Sequence, residues 1–280
     1  MTSREARRLL LVHAHPDDES LTTGATMARY AAEGVEVTLV TCTLGEEGEI
    51  IPPALEQLGS WAADQLGGYR SGELAAARAA LGGPRQHYLG GIGRWRDSGM
   101  AGTPAAAHPR AFTGGSAAEQ AEQLAMVLDE VRPQVVVTYD ASGGYGHPDH
   151  IRAHEITMAA AGAAGSVRRI FHTAAPARAT EGGLAALRAA GDLPFRLPDE
   201  GELPTVPDEL AGTAIAAKGH LEAKVAALRA HATQVTVLDE RRCFALSNGI
   251  AQPLLDAEYF VLAHGPAEGA ENDLFGGLDA

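Results

Sequence analysis

Apolar residues fall along the chain in short unbroken runs and in longer Ala-rich stretches, and the two patterns predict different elements. Leu9-Leu10-Leu11-Val12 is a short run broken by His13-Ala14-His15-Pro16, which reads as a buried strand. A helix is expected over 20–33, with Gly34 as its stop, and Val35-Glu36-Val37-Thr38-Leu39-Val40-Thr41 reads as a second strand. A β-α-β unit completed within about 40 residues is the building block of a parallel sheet. Further along, helices are expected over 70–81, 117–131, 148–163 and 214–230. Strands are expected over 86–89, 135–139, 169–173, 243–246 and 259–262. Stretches 46–53 and 90–115 have no period and read as loops, and 174–212 resists assignment. The Gly-, Glu- and Asp-rich tail from Gly265 is expected to fray. Glu222 and Lys224 read as a solvated helix face.

The pattern gives an α/β fold: a Rossmann-like, mostly parallel sheet with helices on both faces, plus a smaller C-terminal α+β portion. A catalytic domain over 1–175 and a completing portion over 176–280 follow from it. With 280 residues the chain is long enough to fold without disulfides. Cys42 and Cys243 form no C-x-x-C pair and read as reduced thiols in a cytoplasmic protein. No run of about 20 apolar residues is present, so no membrane partner is expected. A net charge of -14 argues against nucleic acid as a partner.

Two clusters of chemistry sit just after predicted strands. His15-Pro16-Asp17-Asp18-Glu19 follows the first, and Tyr145-Gly146-His147-Pro148-Asp149-His150 follows the strand at 135–139. Ligands of open α/β sheets bind beyond the carboxyl ends of strands, where the strand order reverses. If both strands flank that point the clusters meet, and two histidines with a carboxylate suit a catalytic Zn²⁺ site. A nucleotide-binding module is the competing reading. It would place glycines and free N–H groups in the first turn, whereas Asp17, Asp18 and Glu19 repel a phosphate and attract a cation. A metal- or sugar-binding protein without turnover is the third reading, and the spare carboxylate of Asp17 speaks against it.

Val12-His13-Ala14-His15-Pro16-Asp17-Asp18-Glu19 and Gly146-His147-Pro148-Asp149-His150 resemble the two motifs of the LmbE/PIG-L family of metal-dependent N-deacetylases. Residues 41–49, 67–70, 93–100 and 230–234 resemble the branch that acts on an N-acetylglucosaminyl-inositol in mycothiol biosynthesis. That likeness weakens over 174–212. The resemblance implies His15, Asp18 and His150 as ligands of one Zn²⁺ or Fe²⁺ per chain. It implies Asp17 as general base toward a water whose pKa the cation lowers towards ~7. His147 is assigned to the developing oxyanion, as electrophile or general acid, with Asp149 orienting an imidazole. Tyr145, among Gly143, Gly144 and Gly146, is assigned to the amide carbonyl, and the division of roles between it and His147 stays open. Arg70, Asp97 and Glu49 are the implied substrate residues. Thr22 stands near where the sibling amidase of mycothiol conjugates carries a lysine, which favours a glycosyl-inositol as the small-molecule partner. That amidase activity and another N-acetylglucosamine deacetylase are the alternatives. His13, read as pointing away from His15, and His154 are expected to be structural.

Overall fold

The computed structural model describes residues 6–278. In chain order it contains β1 (Arg8–His13), α1 (Asp18–Ala32), β2 (Glu36–Thr41), α2 (Leu66–Ala80), β3 (Arg85–Tyr88), α3 (Ala117–Val131) and β4 (Val135–Thr138). There follow α4 (Gly143–Gly146, a distorted single turn), α5 (Pro148–Ala163), β5 (Arg169–Ala174), α6 (Ala177–Ala190), β6 (Thr213–Ala216) and α7 (Leu221–Ala230). The chain ends in β7 (Thr236–Leu238), β8 (Cys243–Ala245), β9 (Gln252–Pro253) and β10 (Ala257–His264).

Seven strands make one sheet in the order β3-β2-β1-β4-β5-β10-β6. The first five are parallel, while β10 runs antiparallel to both β5 and β6. β7, β8 and β9 form a separate antiparallel sheet. The sheet is therefore mostly parallel, as the sequence pattern implies. From β1 the chain moves outward to β2 and β3, then returns to place β4 on the other side of β1. The order reverses between β1 and β4, so the loops after these two strands open into one crevice.

Leu9 and Leu11 face one core layer with Met27, Leu39, Val137 and Phe260, and Leu10 and Val12 face the other with Val40, Leu124, Val136 and Ile156. Alternate residues of β1 thus enter opposite layers, and a strand covered on both faces reads as a continuous apolar run. Gly34 closes α1 with φ 79°, a conformation that favours glycine.

Three expectations fail. Residues 214–230 are not one helix: Thr213–Ala216 is β6, paired with β10, and Gly219 at φ 86° separates it from α7. An Ala-rich strand end looks like helix when the pairing partner is some 40 residues away in sequence. The tail does not fray over its described length, and only its last two positions lie outside the described residues. Ala270, Leu274 and Phe275 are buried in the main core. Arg169 donates to the carbonyls of Pro266, Glu268 and Leu274 at 2.7, 2.7 and 3.0 Å. Lys224 is buried, not solvated, although Glu222 is exposed. Its Nζ lies 2.7 Å from Glu258 and donates to the Leu21 carbonyl at 2.8 Å. Glu258 in turn accepts the N–H groups of Ala25 and Thr26 at 3.0 and 2.8 Å. The ion pair thus reaches into the backbone ladder of α1, and Gly24 leaves room for the lysine stem. Within 174–212 the regular element is α6.

Candidate metal centre

β1 ends at His13 and α1 begins at Asp18, so the four-residue turn between them carries His15 and Asp17 and the first helical position carries Asp18. β4 ends at Thr138, and the loop through α4 leads to α5, which presents His147 and His150 from its first turn. Pro148 occupies the first helical position, where its missing N–H costs nothing.

Three donor atoms converge. His15 Nδ1 lies 3.2 Å from His150 Nε2, and Asp18 Oδ2 lies 3.4 Å from each. Ligands held at about 2.0–2.1 Å around a tetrahedral cation stand about 3.3 Å apart. The outer ring nitrogens fix the tautomers. His150 Nδ1 is 3.1 Å from the Gly143 carbonyl, which can only accept, so its Nε2 turns a lone pair inward. His15 Nε2 is 3.2 Å from Asp149 Oδ2 and 3.5 Å from Asp97 Oδ1, so its Nδ1 lone pair does the same. Two lone pairs and a carboxylate oxygen aimed at one another fit a divalent cation. Burial opposes a charge on His15, but Asp97, Asp149 and Asp18 outweigh it and raise its pKa well above the ordinary value. Burial also opposes charge on Asp18, and His150 and His15 reverse that, holding the carboxylate ionised. Two further groupings bring donors within 4.8 Å, His15 with His147 and His150, and His15 with Asp97 and Asp149.

Asp17 stands beside this cluster without joining it. Burial pushes its pKa up to about 6, against the pull of the neighbouring Arg70. Arg70 is buried: Nη2 lies 3.0 Å from Asp17 Oδ2 and donates to the Pro16 carbonyl, Nη1 donates to the Gly45 carbonyl at 2.7 Å, and Nε has no partner among the described residues. Asp97 is buried as well, and its carboxylate takes the N–H groups of Gly99 and Glu47 at 2.8 and 3.3 Å. Glu49 is exposed, with its carbonyl accepting from Gln234 at 3.1 Å. The Thr22 hydroxyl closes on its own helix, donating to the Asp18 carbonyl at 2.9 Å.

His147 caps α5. Its Nδ1 accepts the Asp149 N–H at 3.2 Å, so the neutral ring carries its proton on Nε2. Burial lowers its pKa to about 3, and the crowding of the His15 and His150 imidazoles pushes the same way. The Asp149 carboxylate binds the imidazole of His15, while only its backbone N–H reaches His147, and its Oδ2 also accepts the Ser98 N–H at 2.9 Å. Tyr145 remains 57% exposed, with its ring 5.0 Å from that of His150 and 6.0 Å from that of His147. It sits between Gly144 at φ 76° and Gly146 at φ 88°. His154 Nδ1 is 2.9 Å from the Tyr139 carbonyl, away from the cluster.

Sequence reasoning missed Tyr139. Its hydroxyl donates to Asp18 Oδ2 at 2.7 Å and accepts the Ala14 N–H at 2.8 Å, and its ring stacks on His150 at 4.2 Å. His13 Nδ1 lies 3.3 Å from the same hydroxyl, so this histidine stays outside the donor cluster but one bond from it. The only signal in the sequence was a tyrosine closing a strand otherwise made of valine and threonine. In the sequence Glu19 has a part only in attracting a cation, and His231 has no separate role. They form a buried pair at 2.7 Å.

The family model of the PIG-L GlcNAc-PI de-N-acetylases matches residues 10–161. A protein of Actinosynnema mirum named 1D-myo-inositol 2-acetamido-2-deoxy-alpha-D-glucopyranoside deacetylase is 64% identical, over 99% of this chain and 99% of its own. One of the same name from Saccharomonospora viridis is 63% identical, over 96% of this chain and 100% of its own. Among solved structures, a conserved protein of Thermus thermophilus superposes with a TM-score of 0.54 at 24% identity, covering 92% of this chain and 95% of that one. The 4-carboxy-2-hydroxymuconate hydratase of Pseudomonas putida reaches 0.59 at 17%, covering 93% and 97%. A hydratase on this framework shows that the fold alone does not choose the reaction.

Proposed function

The chain belongs to the PIG-L family, and from that premise we propose that it is a zinc-dependent hydrolase that removes the acetyl group from N-acetylglucosaminyl-inositol, one cation per chain. The observation that carries the substrate is the whole-length 64% identity to the deacetylase of that sugar. The chemistry is supported by the donor set of His15, Asp18 and His150 and by the carboxylate of Asp17, which stays out of that set and is held by Arg70.

His15, Asp18 and His150 would hold a divalent ion, which would supply Lewis acidity and lower the pKa of a water molecule. Asp17 takes that water's proton as the nucleophile adds to the amide carbon, and returns it to the sugar nitrogen as the C–N bond breaks. The water's second proton starts on the new carboxyl and passes to the released amine, so acetate and an ammonium leave and the proton count closes. His147 presents a neutral Nε2–H to the oxyanion, an electrophilic role that its low pKa favours over donation by an imidazolium. Tyr145, on its glycine-flanked turn, adds its hydroxyl to the same oxygen once substrate is bound. Asp97 and Asp149 fix His15, and Arg70 fixes Asp17, so these buried charges act on the substrate through the catalytic groups.

Acetate release from N-acetylglucosaminyl-inositol, measured with bound-metal analysis on the same sample, tests the reading. Turnover that scales with bound zinc is expected. Hydrolysis of mycothiol conjugates far faster than the acetylated sugar would overturn the substrate, and absence of both acetate and metal would overturn the reaction.

A further inference from the structure

Glu19 completes the run of three acidic residues in the first motif, yet it contributes no donor to the cation cluster. It is fully buried, and so is His231, which arrives from the end of α7. Each oxygen of Glu19 is committed. Oε2 accepts the Asp17 backbone N–H at 2.9 Å, and Oε1 accepts the Ser20 hydroxyl at 2.5 Å and faces His231 Nε2 at 2.7 Å. The other nitrogen of His231 is buried without a partner. Buried ion pairs of this kind do little for stability, and an orphaned polar atom subtracts from it.

Asp17 is where the pair makes its contact. Its backbone has φ 118° and ψ −33°, a strained conformation that side-chain-bearing residues rarely adopt. It also occupies the N-cap of α1, where an aspartate ordinarily turns its carboxylate onto the helix N–H groups; here no such bond forms. The carboxylate faces Arg70 instead. Something must hold the backbone in the strained state, and the charge-assisted bond from the Asp17 N–H to Glu19 does so. His231 is not needed to fasten α7 to α1. Leu21, Leu221, Val225 and Leu228 pack together, and Lys224 and Glu258 pin the helix again.

We propose that Glu19 and His231 are a positioning pair for the general base: His231 fixes Glu19, and Glu19 locks the Asp17 backbone so that its carboxylate points to the water and not to the helix. This rests on the reading of Asp17 as the base. Without the lock, Asp17 relaxes to an ordinary capping conformation and its carboxylate turns away from the reaction.

The test uses Glu19→Ala, His231→Phe and His231→Gln in the full, metal-loaded enzyme, with kcat, KM, bound zinc and hydrogen exchange at the Asp17 amide. Misplacing a catalytic group by about 1 Å costs about 100-fold in rate. Glu19→Ala is therefore expected to lower kcat about 100-fold, with KM and zinc content within about twofold, and to speed exchange at the Asp17 amide at least about tenfold. His231→Gln, which can still donate to Glu19, is expected to keep most of the kcat that His231→Phe loses. If Glu19→Ala does not fold, the two His231 variants decide, and equal kcat in both overturns the proposal. A Glu19→Ala enzyme with unchanged kcat and unchanged exchange also overturns it, as does a loss of kcat that only tracks lost zinc. If the unaltered enzyme releases no acetate, the deacetylase reading fails, while exchange at the Asp17 amide still decides the lock.

Discussion

Arg70 Nη2 lies 3.0 Å from Asp17 Oδ2, in a place where neither side chain is open to bulk water. The cation pulls the carboxylate toward ionisation while burial pushes the other way, and burial prevails to set the pKa at about 6. A base must be ionised to accept a proton, so kcat/KM is expected to fall as pH drops through this group's titration. Removing the cation raises the pKa of Asp17. In Arg70→Gln the acid limb of the pH–rate profile therefore moves to higher pH, and in Arg70→Lys it moves less. A limb that stays in place in both variants removes Arg70 from this role.

Asp17→Asn keeps the shape of the side chain and takes away its basicity. Loss of a general base lowers kcat by about 10²–10⁴-fold. Because Asp17 supplies no atom to the donor triad, zinc content measured on the same preparation is expected to stay at one per chain. Unchanged turnover would end the assignment.

The Tyr139 hydroxyl touches Asp18 and the Ala14 N–H, holding the ligand carboxylate against the turn that carries His15. Tyr139→Phe deletes both bonds and leaves the ring stack on His150 in place. Loss of such an outer partner weakens metal binding by about 10–100-fold. Competition with a chelator measures this directly, and wild-type affinity in the variant would refute it.

Lys224 and Glu258 are both buried, so removing one strands the other. Lys224→Met is expected to cost about 3–5 kcal/mol in denaturant unfolding. Adding Glu258→Gln removes the uncompensated charge while leaving an acceptor for the α1 N–H groups, and part of the loss returns. A single variant as stable as the wild type would show that the pair carries no weight.

Much of the first part of the sheet was legible because its signals are local. A buried strand covered on both faces is a bare apolar run, as at Leu9–Leu11, and a breaker rich in histidine and aspartate directly after it announces a site. The meeting of the β1 and β4 loops followed from topology, not from any pair of residues. What escaped depends on partners far along the chain. Lys224 looks solvated until Glu258 is brought beside it. The strand character of 213–216 exists only through its pairing with β10. Tyr139 acquires its role from Asp18, 121 residues away. Charge and periodicity describe a residue's neighbours in sequence, whereas a buried polar side chain is defined by its neighbours in space.

β10 lies between β5 and β6, yet among the described strands it comes after both in the chain. While the chain is still emerging from the ribosome, β5 presents an uncovered edge, and β6 has no sheet to join. The parallel strands that carry the histidines can assemble early; the sheet is finished only when residues 257–264 slide into a slot already flanked on one side. The descending tail then seals Arg169 under its own carbonyls. A chain cut just before residue 257 would therefore leave an open, pairing-competent edge beside a nearly complete site, the form most exposed to aggregation and to proteolytic clearance.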